Sequence, residues 1–328
     1  MTKLISQVAH VELITPVLEE SVAFFRDLVG LEVTERVGDS VYLRTWGDYF
    51  HHTIVLTAGE KPALGHVGWR AQGPDELQEA ARRLEESGQG IGWIPAGVGH
   101  GPAYRFAGPN GQIQEVFWEV DRYEAPDDLK SVFPARPQRY TGRGATARYL
   151  DHVNFPAADP VEEAKWYHEV LGSRFLEWTQ LSDAPVSIFA TLASADTFDL
   201  ALLRDDSGIF GRFHHLALWV DERNDVIRAA ELFREHGVTI EWGPGRHGHG
   251  ESMSVYVREP GGMRVEIVSG GYRNVQPDWE PRMWHPEDGS ADFYLSNPLP
   301  EAFLEVLPPI DDESTITVGD SGNPWGKK

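Results

Sequence analysis

The chain has 328 residues, 41 % hydrophobic and 24 % charged, the balance of a globular protein of about two domains. Its net charge of −22 argues against nucleic acid as a partner, since phosphate binding needs clustered Lys and Arg. It has no cysteine, which excludes disulfides, thiolate metal sites and thiol catalysis. Alternation in VAHVELI, residues 8–14, predicts a strand with His10 and Glu12 on one face. From Pro16 to Gly30, Leu18, Val22, Phe25 and Val29 recur at helical spacing, and Gly30 supplies a stop. Three strand-like runs follow: LEVTERV, SVYLRTW and HHTIVLTA. The order then resets. GHVGWRA, residues 65–71, is a strand carrying His66, residues 75–88 form an amphipathic helix, and later strands include GQIQEVFWEV with Glu115.

The same programme returns after a Pro- and Arg-rich stretch. LDHVNF carries His152, VEEAKWYHEVLG is a helix ended by Gly172, and SRFLEWTQ, SIFATLA and FDLALLR are strands. HHLALWV carries His214 and His215, DVIRAAELFREHG is a helix ended by Gly237, and the last strands reach Glu266. Matching positions keep constant offsets: 142 residues for His10/His152 and Gly30/Gly172, 149 for His66/His215 and Gly88/Gly237, and 151 for Glu115/Glu266. Constant offsets within a unit and small drifts between units mean duplication with loop insertions. The expected fold is α+β, four βαβββ modules in two tandem domains. Residues 1–125 form the first domain, 126–147 a linker, 148–272 the second domain, and 273–328 a Pro- and Trp-rich covering arm with a frayed end of ten or so residues. No apolar run approaches the ~20 residues that span a bilayer, and no secretory leader is visible. A cytoplasmic protein without membrane contact is expected.

The richest stretch is Gly243 to Ile267, GPGRHGHGESMSVYVREPGGMRVEI. It holds a Gly-rich loop with two histidines, a strand with Tyr256 and a last strand on which Glu266 and Arg264 share a face. With His152 and His215, Glu266 makes a set of two histidines and one carboxylate, which suits Fe(II) or Mn(II). Such a set leaves part of the metal's coordination sphere open. His214, next to His215, is expected on the opposite face. Taken singly, a strand histidine is more often structural than ligating, and Tyr256 and His247 have ordinary readings as a strand aromatic and a loop histidine.

The motifs LDHVN at 150–154, HHLALWV at 214–220, GPGRHG at 243–248 and VYVREPGGMRVEI at 255–267 together resemble the extradiol ring-cleaving dioxygenases of the vicinal oxygen chelate superfamily, the catechol 2,3-dioxygenase and homoprotocatechuate 2,3-dioxygenase group. The resemblance covers about residues 5–272. It implies a metal, Fe(II) with Mn(II) as the alternative, held by His152, His215 and Glu266. It implies a small aromatic diol and O2 as reactants, and a homo-oligomer. Asn154, His247 and Tyr256 take the places of the family's acid–base and hydrogen-bonding residues.

Three departures stand out. Phe198 occupies the family's acid–base histidine position, and His249 or a water is the candidate substitute. Trp242 stands where homoprotocatechuate enzymes have an arginine for the substrate carboxylate, so an uncharged ring substituent is expected. His10, His66 and Glu115 repeat the ligand trio in the N-terminal half, where the family is not expected to hold metal; Arg105 and Glu12 replace the counterparts of Tyr256 and Asn154 there. The alternatives are another metal-dependent enzyme of the superfamily, isomerising or cleaving a non-catechol ring, and a metal-free small-molecule binding protein.

Overall fold

The computed structural model describes residues 3–193 and 196–307; the frayed end expected over the last residues lies outside them. Strand β1 (Ile5–Thr15) leads into α1 (Leu18–Ala23), then β2 (Glu32–Val37), β3 (Ser40–Arg44) and β4 (Ile54–Ala58). The second unit is β5 (Ala63–Ala71), α2 (Pro74–Glu86), β6 (Gly90–Ile94), β7 (Ala103–Ala107) and β8 (Ile113–Phe117). The third is β9 (Tyr149–Ala157), α3 (Pro160–Leu171), β10 (Arg174–Leu181), β11 (Ala184–Thr191) and β12 (Leu200–Arg204). The fourth is β13 (His215–Trp219), α4 (Arg223–Glu235), β14 (Ile240–Arg246), β15 (Ser252–Arg258) and β16 (Arg264–Gly270). A short β17 (Arg282–Trp284), which the sequence did not suggest, pairs parallel to β10.

Each half is one sheet, ordered β2-β3-β4-β1-β5-β8-β7-β6 and β14-β15-β16-β13-β9-β12-β11-β10-β17. The leading strands of paired units lie antiparallel at the centre, β1 beside β5 and β9 beside β13. Each also runs parallel to the last strand of its own unit: β1 to β4, β5 to β8, β9 to β12 and β13 to β16. This is the fourfold α+β repeat that the offsets imply.

Alternation sorts the two faces of each sheet. Val11, Leu13, Val67 and Trp69 are fully buried in one core with Leu77, Ala80 and Leu84 of α2. The alternate positions, His10 and Glu115 in one half and His152 and Glu266 in the other, turn to the opposite, concave face. The cores of the two halves merge. Phe24 stacks on Phe233 with ring centroids 5.8 Å apart. Trp69 Nε1 donates to Gln114 Oε1 (2.9 Å), and the Gln114 amide donates to the Tyr167 hydroxyl (2.7 Å).

Local signals explain the helix ends. The Asp159 carboxylate caps α3 by accepting from the N–H groups of Val161 (3.0 Å) and Glu162 (3.2 Å), with Pro160 at the first helical position. Gly172 ends it in the left-handed conformation, φ 77°. The first helix departs from the expected regular run to Gly30: Phe24–Val29 form a wide π turn. The carbonyls of Leu28 and Val29, free of helix partners, accept instead from the N–H groups of Ala145 and Ala147 (2.8 and 3.2 Å). The wide turn thereby ties the segment ahead of β9 onto the first half.

Glu163 of α3 is buried, and its Oε1 has no hydrogen-bond partner. Burial pushes its carboxyl up to about 8. In the unfolded chain it ionises near the ordinary carboxylate value, so between that value and about 8 the folded state holds the extra proton and stability falls as pH rises. The span corresponds to at most about 5 kcal/mol. Glu163→Gln is expected to flatten this slope, raising stability at pH 8 while changing little at pH 4.5. Urea unfolding at both values checks it.

Candidate metal centre

The strand register converges three donors. Ala217 on β13 lies opposite both His152 on β9 and Glu266 on β16, while His215, two residues earlier, faces Asn154. His152 Nε2 is 3.1 Å and His215 Nε2 3.2 Å from Glu266 Oε2, and the two Nε2 atoms are 3.2 Å apart. All three side chains are buried.

Neighbouring acceptors fix the tautomers. His152 donates its Nδ1–H to the Asp151 carboxylate at 2.7 Å. His214 donates Nε2–H to the Phe303 carbonyl at 2.8 Å, so its Nδ1 accepts from His215 Nδ1–H at 2.6 Å. With both rings neutral, the two ligand Nε2 atoms are lone pairs facing a carboxylate oxygen that has no hydrogen-bond partner. Three acceptors on one buried point repel unless a cation or a proton lies between them. Donors at ~2.1 Å around a cation are separated by about 3.0 Å at right angles and about 3.4 Å in a tetrahedron, which brackets the observed spacing. The residues present therefore fit a divalent ion.

The electrostatics agree. Burial alone would raise the Glu266 carboxyl, but the His152 and His215 imidazoles outweigh it and hold it well below its ordinary range. Burial opposes charge on His152 as well; there the Glu266 and Asp151 carboxylates win and raise it to about 9. For His215 burial wins, and its imidazole falls to about 4. Without an ion, the repulsion is relieved by a proton on His152 Nε2, the proton that a bound cation would displace.

Around this point, Tyr256 lies opposite Glu266 in the β15–β16 register and its hydroxyl is 2.9 Å from His247 Nε2. His247 donates Nδ1–H to the Ala291 carbonyl at 2.5 Å, so its Nε2 accepts from the Tyr256 hydroxyl. Burial keeps His247 neutral at physiological pH and pushes the Tyr256 phenol, beside the Glu266 carboxylate, well above its ordinary value. His249 stacks between Phe189 and His247, centroids 4.1 and 4.7 Å away, and its Nδ1 has no partner. Phe198 packs on the His152 ring, centroids 4.7 Å apart. Asn154 Oδ1 is buried and unpartnered.

His152, His215, Glu266, Asn154, His247, His249, Tyr256 and Phe198 all line one cavity of about 370 Å³, whose remaining wall is largely apolar: Val186, Phe189, Leu203, Leu299 and Phe303. Two expectations need correction. Trp242 does not line this cavity; it stacks flat behind His247, centroids 4.5 Å apart, with its indole N–H donating to the Asn297 carbonyl (2.7 Å). Trp242 lies opposite Tyr256 in the β14–β15 register and on the same face, but packs in one cluster with Tyr256 and Phe303, and these two line the cavity while it does not. His214 does not face away from His215, because regular strand begins only at His215.

Sequence reasoning missed Asp151, His214 as an orienting group, and Glu177. The Glu177 carboxylate accepts from the Gly250 N–H (2.9 Å), the Tyr272 hydroxyl and the Trp284 indole, clamping the His247–His249 loop to the arm. Nothing in the local pattern of FLEWTQ distinguishes that glutamate from an exposed one.

Comparisons with known proteins agree with the geometry. The family model described as Glyoxalase/Bleomycin resistance protein/Dioxygenase superfamily matches residues 7–116 and again 149–267, one match per sheet. A metapyrocatechase of Geobacillus stearothermophilus is 36 % identical over 316 residues, 95 % of this chain and 96 % of that one. A manganese-dependent 2,3-dihydroxybiphenyl 1,2-dioxygenase of Geobacillus genomosp. 3 is 39 % identical over 288 residues, 87 % and 91 % of the two chains. Among solved structures, homoprotocatechuate 2,3-dioxygenase from Arthrobacter globiformis superposes with a TM-score of 0.81 at 26 % identity, covering 92 % of each chain. Two model matches in tandem, near full-length relatives and the shared architecture lead to one conclusion: the chain belongs to the Glyoxalase/Bleomycin resistance protein/Dioxygenase superfamily, among its extradiol dioxygenases.

Proposed function

We propose that this chain opens a catechol ring next to its diol with O2, at an Fe(II) or Mn(II) ion held by His152, His215 and Glu266. The observation that carries the reading is the meeting of three buried, unshared acceptors at one end of a largely apolar cavity of aromatic-ring size. The ion would supply Lewis acidity toward the diol oxygens and a redox path to O2. The relative named as a manganese-dependent dioxygenase supports Mn(II), and two imidazoles with one carboxylate suit Fe(II) as well.

The chain's own residues do the rest. Tyr256, with its hydroxyl on His247, is placed to hydrogen-bond a diol oxygen and pass its proton to His247 Nε2. Asn154 offers an unpartnered amide group to the same space. Phe198 and Phe189 wall the ring and limit water. A homo-oligomeric assembly and a cytoplasmic location belong to the same reading and are checked by light scattering and by cell fractionation. Oxygen uptake with a catechol panel, on protein loaded with each metal, tests the activity; no catechol-dependent uptake with either metal would shift the case to isomerisation or non-catechol chemistry.

The cavity also predicts specificity. Among the described residues its one Lys or Arg is Arg204, whose Nε pairs with Asp206 at 2.9 Å at the exposed rim, so a substrate carboxylate would have to compete with Asp206 for it or enter an otherwise largely apolar site. 3-Methylcatechol and 2,3-dihydroxybiphenyl should exceed homoprotocatechuate in kcat/KM by at least about 10-fold, since an unpaired buried charge costs more than 1.4 kcal/mol. A higher kcat/KM for homoprotocatechuate would contradict it.

A further inference from the structure

The concave face of the N-terminal sheet carries a second convergence of donors, richer than the family resemblance implies. His10 on β1, His66 on β5 and Glu115 on β8 occupy the repeat positions of the C-terminal trio. His100, in the β6–β7 connection, joins them, a residue that sequence periodicity does not reveal. His10 Nε2 and His66 Nε2 are 2.9 Å apart. Glu115 Oε1 is 3.6 Å from each and 3.3 Å from His100 Nε2. Glu115 is fully buried, yet Oε1 accepts no hydrogen bond, an arrangement that costs the desolvation of a charged oxygen.

The tautomers sharpen the point. His66 donates Nδ1–H to the Glu12 carboxylate (2.8 Å), and His100 donates Nδ1–H to the Gly101 carbonyl (2.8 Å). With neutral rings, their Nε2 atoms are lone pairs. A proton on His10 Nε2 can bridge to His66, but His100 Nε2 and Glu115 Oε1 still face each other as two acceptors. Carboxylate and carbonyl groups behind the imidazoles are also the usual arrangement around metal-bound histidines. Room is made for the His10 ring by Gly68, which lies opposite both His10 and Glu115; a Cβ there would fall 2.2 Å from His10 Cε1.

We propose that His10, His100 and Glu115, with His66 beside them, form a second metal site, a structural one suited to Zn(II). Glu115 Oε1 lies 3.6 Å from His10 Nε2 and 3.3 Å from His100 Nε2, close to the about 3.4 Å of a tetrahedral site with ligands at ~2.05 Å. The donor atoms of these three residues all lie within 4.8 Å of one another, and imidazole with carboxylate suits zinc. The site is not a second catalytic centre. Arg105 takes the place of Tyr256 and donates to Glu115 Oε2 at 2.9 Å, so no acid–base group replaces the phenol. Phe117 packs against the rings of His10 and His100, where the C-terminal centre opens onto its cavity.

The test uses the full chain carrying His152→Ala and His215→Ala, which removes two ligands of the other centre. Dialysed against Zn(II) with a competing weak chelator, this variant is expected to keep one zinc per chain, and adding Glu115→Gln with His66→Ala should remove it. Wild-type protein should hold two, with two anomalous peaks at the zinc edge in crystals, one among His10, His66, His100 and Glu115. A folded His152→Ala/His215→Ala variant with no zinc, or one whose zinc survives the Glu115 and His66 changes, would overturn the proposal. So would a single wild-type peak at the C-terminal centre. A single peak at the N-terminal cluster would uphold this site and count instead against the proposed catalytic centre.

Discussion

Replacing His215 by Ala is expected to lower catechol turnover by more than about 10³-fold, because the several kcal/mol that a metal ion contributes to a developing charge are lost together. The variant should lose one bound metal per chain, the one in the C-terminal half. The fold should survive: a His→Ala change at this position removes one partner of a repelling cluster, and the core of β13 rests on Leu216 and Leu218, both fully buried on the other face. Thermal unfolding should therefore remain a single cooperative transition. A His215→Ala protein that turns over catechol within tenfold of wild type would remove this residue from the catalytic centre.

The second large effect concerns proton traffic. Ring opening needs a proton to leave the diol and later return, and a positioned acid–base group contributes about 10²–10⁴-fold. Phe198 cannot supply it. The hydroxyl of Tyr256 and the neutral imidazole of His247 form the hydrogen-bonded pair nearest the ligands. Tyr256→Phe and His247→Asn should each lower kcat by about 10²-fold with metal content unchanged. Phe198→His places an imidazole against His152, where the phenyl ring now lies, and should recover part of the loss in the His247→Asn background. If Tyr256→Phe, His247→Asn and Phe198→His all leave single-turnover rates within a few-fold, the proton takes another route and the ring-cleavage reading weakens with it.

The ligand trio and the fourfold repeat were legible because both rest on period-2 alternation and constant offsets, which survive loop insertions. What alternation could not supply was anything set by irregular backbone. His100 lies in a connection with no period. Trp242 was expected at the cavity wall; it shares the face of Tyr256, but stacks behind His247, a loop ring whose position no alternation predicts. His214 falls one residue before the regular strand and so escapes the rule applied to it. The arm was foreseen as a cover, but the contacts by which it orients His214 and His247 lie in backbone carbonyls, which composition does not encode.

That last property has a consequence for how this centre would look to a genetic screen. The arm serves the histidines through main-chain carbonyls: Ser290 O toward the Gly248 and His249 N–H groups, Ala291 O toward His247, and Phe303 O toward His214. A carbonyl is present whatever side chain its residue bears. Substitutions that keep the side chain small, such as Ser290→Ala or Ala291→Gly, should thus pass nearly silently, although both residues border the cavity. A one-residue deletion between Ala291 and Phe303 would instead slide the carbonyls out of phase with their imidazoles and release the His215 tautomer. Indels in this stretch would score as loss of function where a substitution map shows tolerance.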